Sequence, residues 1–375
     1  MPGFEVYDHR EKEAAISVFD GGNVLFSHGF KGLRKNFHVH EFNEMCQNYF
    51  ETSNAISVSS GTAGLKSALK AAGVKPGDEV ITQGFNFIAT IESIIDCGAK
   101  PIIAPIDEYL NMDLEGTEKL ITEKTKAVII VHMLGYPGDV IRFSSLCNKH
   151  NLVLVEDNCE AIGSKIENRY CGTLGDIGVF SFDHGKMIAT GEGGMILTNS
   201  GKYADYVKSY IDHGHMNDKN FPRGRDPKRC VGFNYRMTEL QGAIGKVQLS
   251  KLSKMIFDNK ERFQILKNKI EDKYLLRPLI EHAHPTYDTF MFKVSSKKLK
   301  DKILEEIYSN SFSTKNIPDA MEWHCSYFWE HALNEKMIQN SKSIFEKLNE
   351  YIALPILLKL PLTKYNELAN LIVSI

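Results

Sequence analysis

The sequence lacks both an excess of charge of one sign and a long apolar run. Its 375 residues include 45 lysines and arginines and 47 aspartates and glutamates, so the formal net charge is −2 at pH 7. This balance argues against nucleic acid or an acidic membrane surface as the main partner. Apolar runs such as KAVIIVHML have the length of a strand and fall short of the roughly 18 residues of a membrane-spanning helix. The start, MPGFEVYDHREKEAA, has no basic segment followed by an apolar one, so we expect no signal peptide and a cytoplasmic chain.

The patterns of disulfides, metal sites and nucleotide-binding loops are missing as well. The seven cysteines are odd in number and include no CxxC pair, so reduced thiols are expected. No third histidine or cysteine at metal-ligand spacing accompanies any H-x-H pair, so no metal is expected. These pairs are His38/His40, His213/His215 and His282/His284. Neither a GxGxxG after a strand nor a Walker A lysine occurs, which argues against nicotinamide or ATP as the principal cofactor.

What the sequence does contain is an alternation of strand-like and helix-like segments. Apolar runs such as 127–132 and 152–155 alternate with helical patterns such as 88–97 and 140–150. Alternation of this kind predicts crossover connections and an α/β fold with a mostly parallel sheet. Helical patterns dominate from residue 203 to 274, and a smaller α+β segment follows.

Two residues of opposite charge stand near the ends of predicted strands. Asp157 closely follows the apolar run LVLV, and Lys186 comes after the strand-like run 179–182 and before the glycines of GEGG. Pyridoxal phosphate chemistry requires a carboxylate that keeps the pyridine nitrogen protonated and a lysine that forms a Schiff base. The spacing therefore favours pyridoxal 5′-phosphate as the cofactor.

Motifs in a fixed order resemble those of the DegT/DnrJ/EryC1/StrS sugar aminotransferases, a branch of the fold-type I pyridoxal phosphate enzymes. They are SSGTAGL at 59–65, GFNFIAT at 84–90, EDNCEAIG at 156–163, GDIGVFSF followed by Lys186, GEGG at 191–194 and GFNYRMTELQGAIG at 232–245. The resemblance implies a large cofactor-binding domain, residues 1–250 with an N-terminal arm, on a mostly parallel seven-stranded sheet. A smaller C-terminal α+β domain, residues 251–375, is expected to follow. A homodimer with shared active sites is implied too.

The phosphate of the cofactor is expected at the start of a helix. Gly61, Thr62 and Ala63 follow a strand and open a predicted helix, which presents free backbone N–H groups to an anion. The alternative is a plain helix N-cap. By resemblance, Ser181 adds a hydroxyl to the same phosphate, and Asn234 reaches it from the neighbouring subunit.

The resemblance assigns three further residues to the surroundings of the ring. Phe87 is expected to stack on the pyridine ring, although an aromatic among apolar residues commonly belongs to the core. Glu160 is expected close to the ring hydroxyl, and the alternative is a charge on a helix surface. Lys186 is the expected catalytic residue, whereas most lysines are solvated surface groups.

The implied activity is transfer of an amino group from L-glutamate to a keto or aldehyde sugar for surface polysaccharide or lipopolysaccharide biosynthesis. The segment AMEWHCSYFWEHALNE, residues 320–335, departs from the histidine–tyrosine–proline–leucine–histidine type motif of many nucleotide-sugar members. It looks closer to members that aminate 8-oxo-3-deoxy-octulosonate, a sugar acid without a nucleotide. The arginines of the FPRGRDPKR loop are candidate carboxylate clamps, or alternatively form a solvated loop or contact a pyrophosphate. The residues assigned to the substrate are His213, Arg223, Arg225, Arg229, Trp323 and His324.

Three other functions stay open. The amino acceptor is alternatively a nucleotide-linked 3- or 4-keto-6-deoxy sugar. A sugar dehydratase is a second alternative, because EDNCEAIG also resembles that branch, but its members carry histidine in place of Lys186. A cofactor-free ligand-binding or scaffold relative would be expected to lose Asp157, Lys186 or the phosphate residues, and all of these are retained.

Overall fold

A computed structural model describes residues 3–222 and 224–375. Its strands are β1 (Asn54–Val58), β2 (Glu79–Gln83), β3 (Lys100–Ala104), β4 (Thr125–Val131), β5 (Val153–Asp157), β6 (Lys165–Ile166), β7 (Arg169–Tyr170), β8 (Ile177–Ser181), β9 (Gly194–Thr198), β10 (Ala283–His284), β11 (Thr289–Lys293) and β12 (Tyr351–Pro355). Its α-helices are α1 (His9–Asp20), α2 (His38–Phe50), α3 (Gly61–Ala71), α4 (Ala89–Asp96), α5 (Leu114–Glu118), α6 (Val140–His150), α7 (Gly201–Tyr210), α8 (Glu239–Ile270), α9 (Lys297–Ser309), α10 (Met321–His324), α11 (Glu335–Asn340), α12 (Lys342–Leu348) and α13 (Leu362–Ser374).

The central sheet has seven strands in the order β1-β9-β8-β5-β4-β2-β3. The pairs from β3 to β8 are all parallel, and β9 runs antiparallel to both of its neighbours. The expected α/β fold with a mostly parallel seven-stranded sheet is thereby confirmed. β5 lies between β4 and β8, so its carboxyl end lies inside the sheet and away from both edges.

Strand β4 shows why this sheet is buried on both faces. Ala127, Ile129 and Val131 pack into one hydrophobic cluster together with α3 and α7. Val128 and Ile130 point the other way, into a cluster with α6. Because side chains alternate along a strand, a continuous apolar run of this kind requires helices on both faces.

Helix α8 connects two of the hydrophobic clusters. A capping box of Thr238 and Gln241 begins it, and it runs unbroken for 32 residues. Leu249 and Leu252 pack against α2 and the sheet, while Phe263 packs against β11, β12, α9 and α13. The expected division at residues 250/251 falls within this helix, and the two-domain organisation stays a prediction.

None of the helices in the described ranges combines the length and apolarity needed to cross a membrane.

Candidate active site

One cavity of about 290 Å³ lies at the carboxyl ends of β4 and β5 and at the start of α3. It brings together residues that are far apart in the sequence. Eight of the residues predicted from the sequence line it: Gly61, Thr62, Phe87, Asp157, Glu160, Ser181, Lys186 and His324.

The start of α3 offers an anion site. The Ser60 hydroxyl accepts the N–H of Ala63 at 3.1 Å, so this N–H already has a partner. The N–H groups of Gly61 and Thr62 belong to the first turn, where no intrahelical acceptor exists. A Cβ atom on Gly61 would lie 2.9 Å from the Cβ of Ser181, so only glycine fits this closely against that strand end. Backbone donors and the Ser181 hydroxyl therefore meet at one point, which suits a phosphate.

Asp157 is a buried carboxylate with two neutral partners. It is 4% exposed, its Oδ2 accepts the Thr90 hydroxyl at 2.7 Å, and its Oδ1 accepts the Cys159 N–H at 3.2 Å. Each carboxylate oxygen can accept a further bond, so a protonated pyridine nitrogen would supply both a donor and the missing positive charge. Sequence reasoning missed the role of Thr90, although this residue is the last of the GFNFIAT motif.

Phe87 forms an aromatic wall of the cavity. Its ring centroid is 5.4 Å from that of His324 and 6.1 Å from that of Trp323. Backbone bonds fix this contact, because Asn86 N–H donates to the His324 carbonyl and Ile88 N–H donates to the Trp323 carbonyl. The segment that carries both residues therefore reaches the cavity through His324, while Trp323 is 60% exposed and does not line the cavity.

Lys186 and Glu160 form an ion pair inside the cavity. Lys186 Nζ lies 3.3 Å from Glu160 Oε1, and Glu160 Oε2 accepts the Leu134 N–H at 3.2 Å. Burial is the largest single influence on the pKa of Glu160 and raises it, but Lys186, His324, Lys315 and the Leu134 N–H together outweigh burial and bring the pKa down to about 2. Burial alone would lower the pKa of Lys186, yet the Glu160 carboxylate raises it above the usual value. The free amine is therefore held protonated until a cofactor displaces this pairing.

His324 faces the same carboxylate. Its Nδ1 lies 2.7 Å from the Ala320 carbonyl, so Nδ1 carries the proton and donates it. Its Nε2 lies 3.8 Å from Glu160 Oε1. Burial lowers the pKa of His324, so the ring is neutral near pH 7 and presents an acceptor to the cavity.

The N-terminal segment supports the loop that carries Lys186, a role that the motifs did not reveal. The Gly3 N–H donates to the Lys186 carbonyl at 2.9 Å, and the Phe4 ring stacks on His184 with centroids 4.3 Å apart. A Cβ atom on Gly3 would lie 2.6 Å from the Met187 carbonyl oxygen. The chain start therefore packs tightly against the back of this loop.

Several predicted residues lie away from this cavity within the single chain. Asn234 and His213 are exposed, as are Arg225 and Arg229, and none of the four lines it. Arg223 lies outside the described residues. The anchor of the arginine loop is the buried Asp226, which pairs with His215 Nδ1 at 2.7 Å. The structure thus does not bring the described arginines to Lys186 of their own chain.

A buried group of His132, Glu156 and Cys171 has ligand atoms within 4.8 Å of one another. Glu156 accepts the backbone N–H groups of Gly172 and Leu174, each at 2.7 Å. His132 accepts the Gly138 N–H on Nδ1, so its Nε2 donates to Glu156 at 3.0 Å. These bonds give Glu156 a structural role, in which it fixes the loop after β7.

The donor set of the cavity fits pyridoxal 5′-phosphate. The α3 start and Ser181 suit the phosphate, Asp157 suits the pyridine nitrogen, Phe87 offers a ring face, and Lys186 offers an amine for covalent attachment. The individual assignments stay predictions.

Comparison with known proteins identifies the family. A family model described as the DegT/DnrJ/EryC1/StrS aminotransferase family matches residues 31–372. The GDP-perosamine synthase of Vibrio cholerae is 35% identical over 234 residues, which are 62% of this chain and 62% of that protein. The GDP-perosamine synthase of Escherichia coli O157:H7 is 36% identical over 307 residues, covering 81% of this chain and 83% of that protein.

Among solved structures, an aminotransferase from Psychrobacter cryohalolentis superposes with a TM-score of 0.84 at 25% identity, covering 98% of this chain and 96% of that one. The match to the Vibrio cholerae relative spans less than two thirds of its length. The family model nevertheless covers most of this chain. The chain therefore belongs to the DegT/DnrJ/EryC1/StrS aminotransferase family, and its cofactor is pyridoxal 5′-phosphate.

Proposed function

We propose that this protein is a pyridoxal phosphate-dependent aminotransferase that moves an amino group from L-glutamate to a carbonyl of a nucleotide-linked keto sugar. One observation carries the proposal: a single cavity holds the Lys186 amine, the Asp157 carboxylate and the start of α3. These groups support covalent attachment of the cofactor, a protonated pyridine nitrogen and a bound phosphate, respectively.

Lys186 has the central chemical role. Bound pyridoxal phosphate would supply an aldehyde carbon that accepts the amino group and a ring that stabilises negative charge on the reacting carbon. Glu160 keeps Nζ of Lys186 at the cavity wall, at 3.3 Å. In its neutral form, released from this ion pair, Nζ would take the proton from the α-carbon of glutamate, and the resulting ammonium would deliver a proton to the sugar carbon.

The other cavity residues hold the reacting groups in place. Asp157 maintains the positive charge of the pyridine nitrogen, and Thr90 fixes the orientation of that carboxylate through its 2.7 Å hydrogen bond. Phe87 would offer an aromatic face to the ring, and Lys186 would supply the amine near the reacting carbon.

The substrate class rests on the relatives. The two perosamine synthases carry GDP in their names, which favours a nucleotide-linked sugar over the octulosonate expected from residues 320–335. The octulosonate is kept as a second candidate because of one structural observation. The buried ammonium of Lys315 lines a cavity next to Lys186, and a sugar acid carries a carboxylate.

The proposal includes a two-fold dimer. Asn234 is exposed and lies outside the Lys186 cavity of its own chain, although the resemblance assigns it to a phosphate. Apolar side chains are exposed on the same loop, with Val231 87% and Phe233 43% exposed. Exposed apolar groups of this kind mark interaction surfaces, and a symmetric contact would carry Asn234 into the partner's site.

A substrate panel tests the proposed activity. The loaded enzyme is supplied with L-glutamate and, in parallel, nucleotide-linked 3- and 4-keto-6-deoxy sugars and 8-oxo-3-deoxy-octulosonate. We expect amination of a nucleotide-linked sugar with one 2-oxoglutarate formed per product. Lys186→Arg is the control, because it keeps the positive charge beside Glu160 but cannot attach the cofactor. If only the octulosonate is aminated, it replaces the nucleotide-linked sugar as the proposed substrate. If no 2-oxoglutarate forms with any acceptor, the proposal is overturned.

A further inference from the structure

A second cavity, of about 170 Å³, adjoins the cofactor cavity. The two cavities share Cys159, Glu160, Lys186 and His324. The opposite wall of the second cavity is formed by Asp288, Lys315 and Asn316. A molecule that reacts at Lys186 Nζ therefore has this space beside its reacting carbon.

Lys315 brings a buried ammonium to that wall. Its side chain is 9% exposed, and its Nζ donates to Asp288 Oδ2 at 2.7 Å and to Thr289 Oγ1 at 2.8 Å. An ammonium has three N–H donors, so one is left for a ligand. The Asp288 carboxylate has its other oxygen occupied by the hydroxyls of Thr286 and Thr289. Asp288 thus fixes the position of Lys315. Both of its oxygens already accept hydrogen bonds, so Lys315 is the member of this pair with an N–H left for a ligand.

Asn316 adds a second donor to the same wall. Its Nδ2 is buried and has no hydrogen-bond partner among the described residues. A buried amide without a partner is unfavourable unless a ligand or water bonds to it. Its φ of 58° lies in the left-handed region, which asparagine tolerates better than most residues and which fixes the direction of the side chain.

The charge and size of the cavity select one kind of ligand. The carboxylates of Asp288 and Glu160 already balance the positive charges of Lys315 and Lys186. The wall therefore suits a ligand with a single negative charge better than a diphosphate. One ammonium N–H and one amide N–H match the two oxygens of a carboxylate. Arg225 and Arg229, the described members of the arginine set expected to bind a carboxylate, line neither cavity.

We propose that Lys315 Nζ and Asn316 Nδ2 form a carboxylate subsite that holds the acid group of the molecule reacting at Lys186. The inference rests on the proposed aminotransferase function. The acid group belongs to the amino donor L-glutamate or to an acidic sugar acceptor, and the two sources share this chemistry. A specificity role follows, because a substrate without an acid group would leave both donors unpaired.

The first arm of the test measures binding without turnover. Glutarate, a dicarboxylate without an amino group, is titrated into the cofactor-loaded enzyme by calorimetry. The variants are Asn316→Gly, which preserves the left-handed backbone, and the pair Lys315→Met with Asp288→Asn, which leaves no unpaired buried charge. Lys336→Met is the control, since Lys336 is exposed on α11. We expect the glutarate Kd to rise about tenfold or more in the first two variants and to stay unchanged in the control.

The second arm assigns the source of the acid group. The apparent Kd and the limiting rate of the L-glutamate half-reaction are measured by rapid mixing. The same two quantities are measured for the second half-reaction, in which enzyme loaded with pyridoxamine phosphate is mixed with 8-oxo-3-deoxy-octulosonate. A raised Kd for glutamate with a limiting rate within about threefold of wild type assigns the subsite to the donor, and the same pattern for the sugar acid assigns it to the acceptor. Unchanged Kd values for glutarate, glutamate and the sugar acid in both folded variants would overturn the subsite. Glutarate binding is independent of catalysis, so it separates this failure from failure of the proposed activity.

Discussion

The two acidic residues of the cofactor cavity have different roles because their neighbours differ. Asp157 contacts a hydroxyl and a backbone N–H, and no cation contacts it among the described residues. Glu160 contacts the Lys186 ammonium and the Leu134 N–H. We therefore expect a cationic cofactor atom to bind at Asp157 and Glu160 to control the charge of Lys186.

Asp157→Asn tests the first of these roles. Asparagine keeps the size of the side chain and can still accept the Thr90 hydroxyl, but it cannot hold a positive pyridine nitrogen. We expect the cofactor to bind and the L-glutamate half-reaction to slow by about 10²-fold or more, measured by stopped-flow absorbance. Asp139→Asn, at the N-cap of α6, is the matched control because asparagine caps a helix equally well. A half-reaction at the wild-type rate in Asp157→Asn would show that another group maintains the charge.

Glu160→Gln tests the second role through its pH dependence. Burial lowers the pKa of Lys186 and Glu160 raises it. When the Glu160 carboxylate is removed, the effect of burial is less opposed, so the pKa of Lys186 should fall. Attachment of the cofactor requires the neutral amine, so the pH at which apoprotein is reloaded at half its maximal rate should shift downward. Reloading is followed by cofactor absorbance across a pH series.

Glu192→Gln is the control for this measurement. Glu192 lines the same cavity but is exposed and forms no ion pair with Lys186. A midpoint that is unchanged or higher in Glu160→Gln would contradict the assigned ion pair.

Two helices that begin with glycine allow a matched test at the level of elements. Gly61 begins α3, and a Cβ added to it would lie 2.9 Å from the Cβ of Ser181. Gly201 begins α7, and a Cβ added to it would have no atom within 4 Å. Gly61→Ala should displace the helix start from the Ser181 strand end and raise the cofactor Kd by about tenfold or more. Gly201→Ala should leave it unchanged. Equal cofactor affinity in the two variants, measured by equilibrium dialysis, would exclude the start of α3 as the phosphate site.

The elements that position the cofactor were predictable because they are local. The strands at 125–131 and 153–157 and the helix at 140–150 lie within a residue or two of their predicted bounds. The apolar runs and the helical periodicity mark them directly in the sequence, and the structure adds that Asp139 caps the helix.

Other features depend on contacts between distant segments and could not be predicted. The antiparallel course of β9 follows from its pairing with β1, some 140 residues earlier in the chain. The Lys315–Asp288 pair joins residues 27 apart, and the Gly3 contact joins the chain start to Lys186. No short motif encodes such contacts, so the second cavity was not foreseen.

At the scale of the whole molecule, the proposed sharing of active sites within a dimer predicts complementation between inactive variants. Lys186→Ala and Asn234→Ala are prepared separately and then mixed under conditions that exchange subunits. A mixed dimer carries one site with both substitutions and one site with neither, so activity should return to about a quarter of wild type. If the subunits are shown to exchange but activity does not recover, Asn234 acts in the active site of its own chain or in neither active site.

The most direct test of the central claim is a single half-reaction. Cofactor-loaded wild-type protein is mixed with L-glutamate and no acceptor, and 2-oxoglutarate is counted per subunit while the cofactor spectrum is followed. The account predicts one 2-oxoglutarate per subunit together with loss of the yellow absorbance, and in Lys186→Ala a rate lower by more than about 10²-fold. Absence of 2-oxoglutarate from the loaded wild-type protein with L-glutamate and with other amino acids, or wild-type turnover in Lys186→Ala, would contradict it.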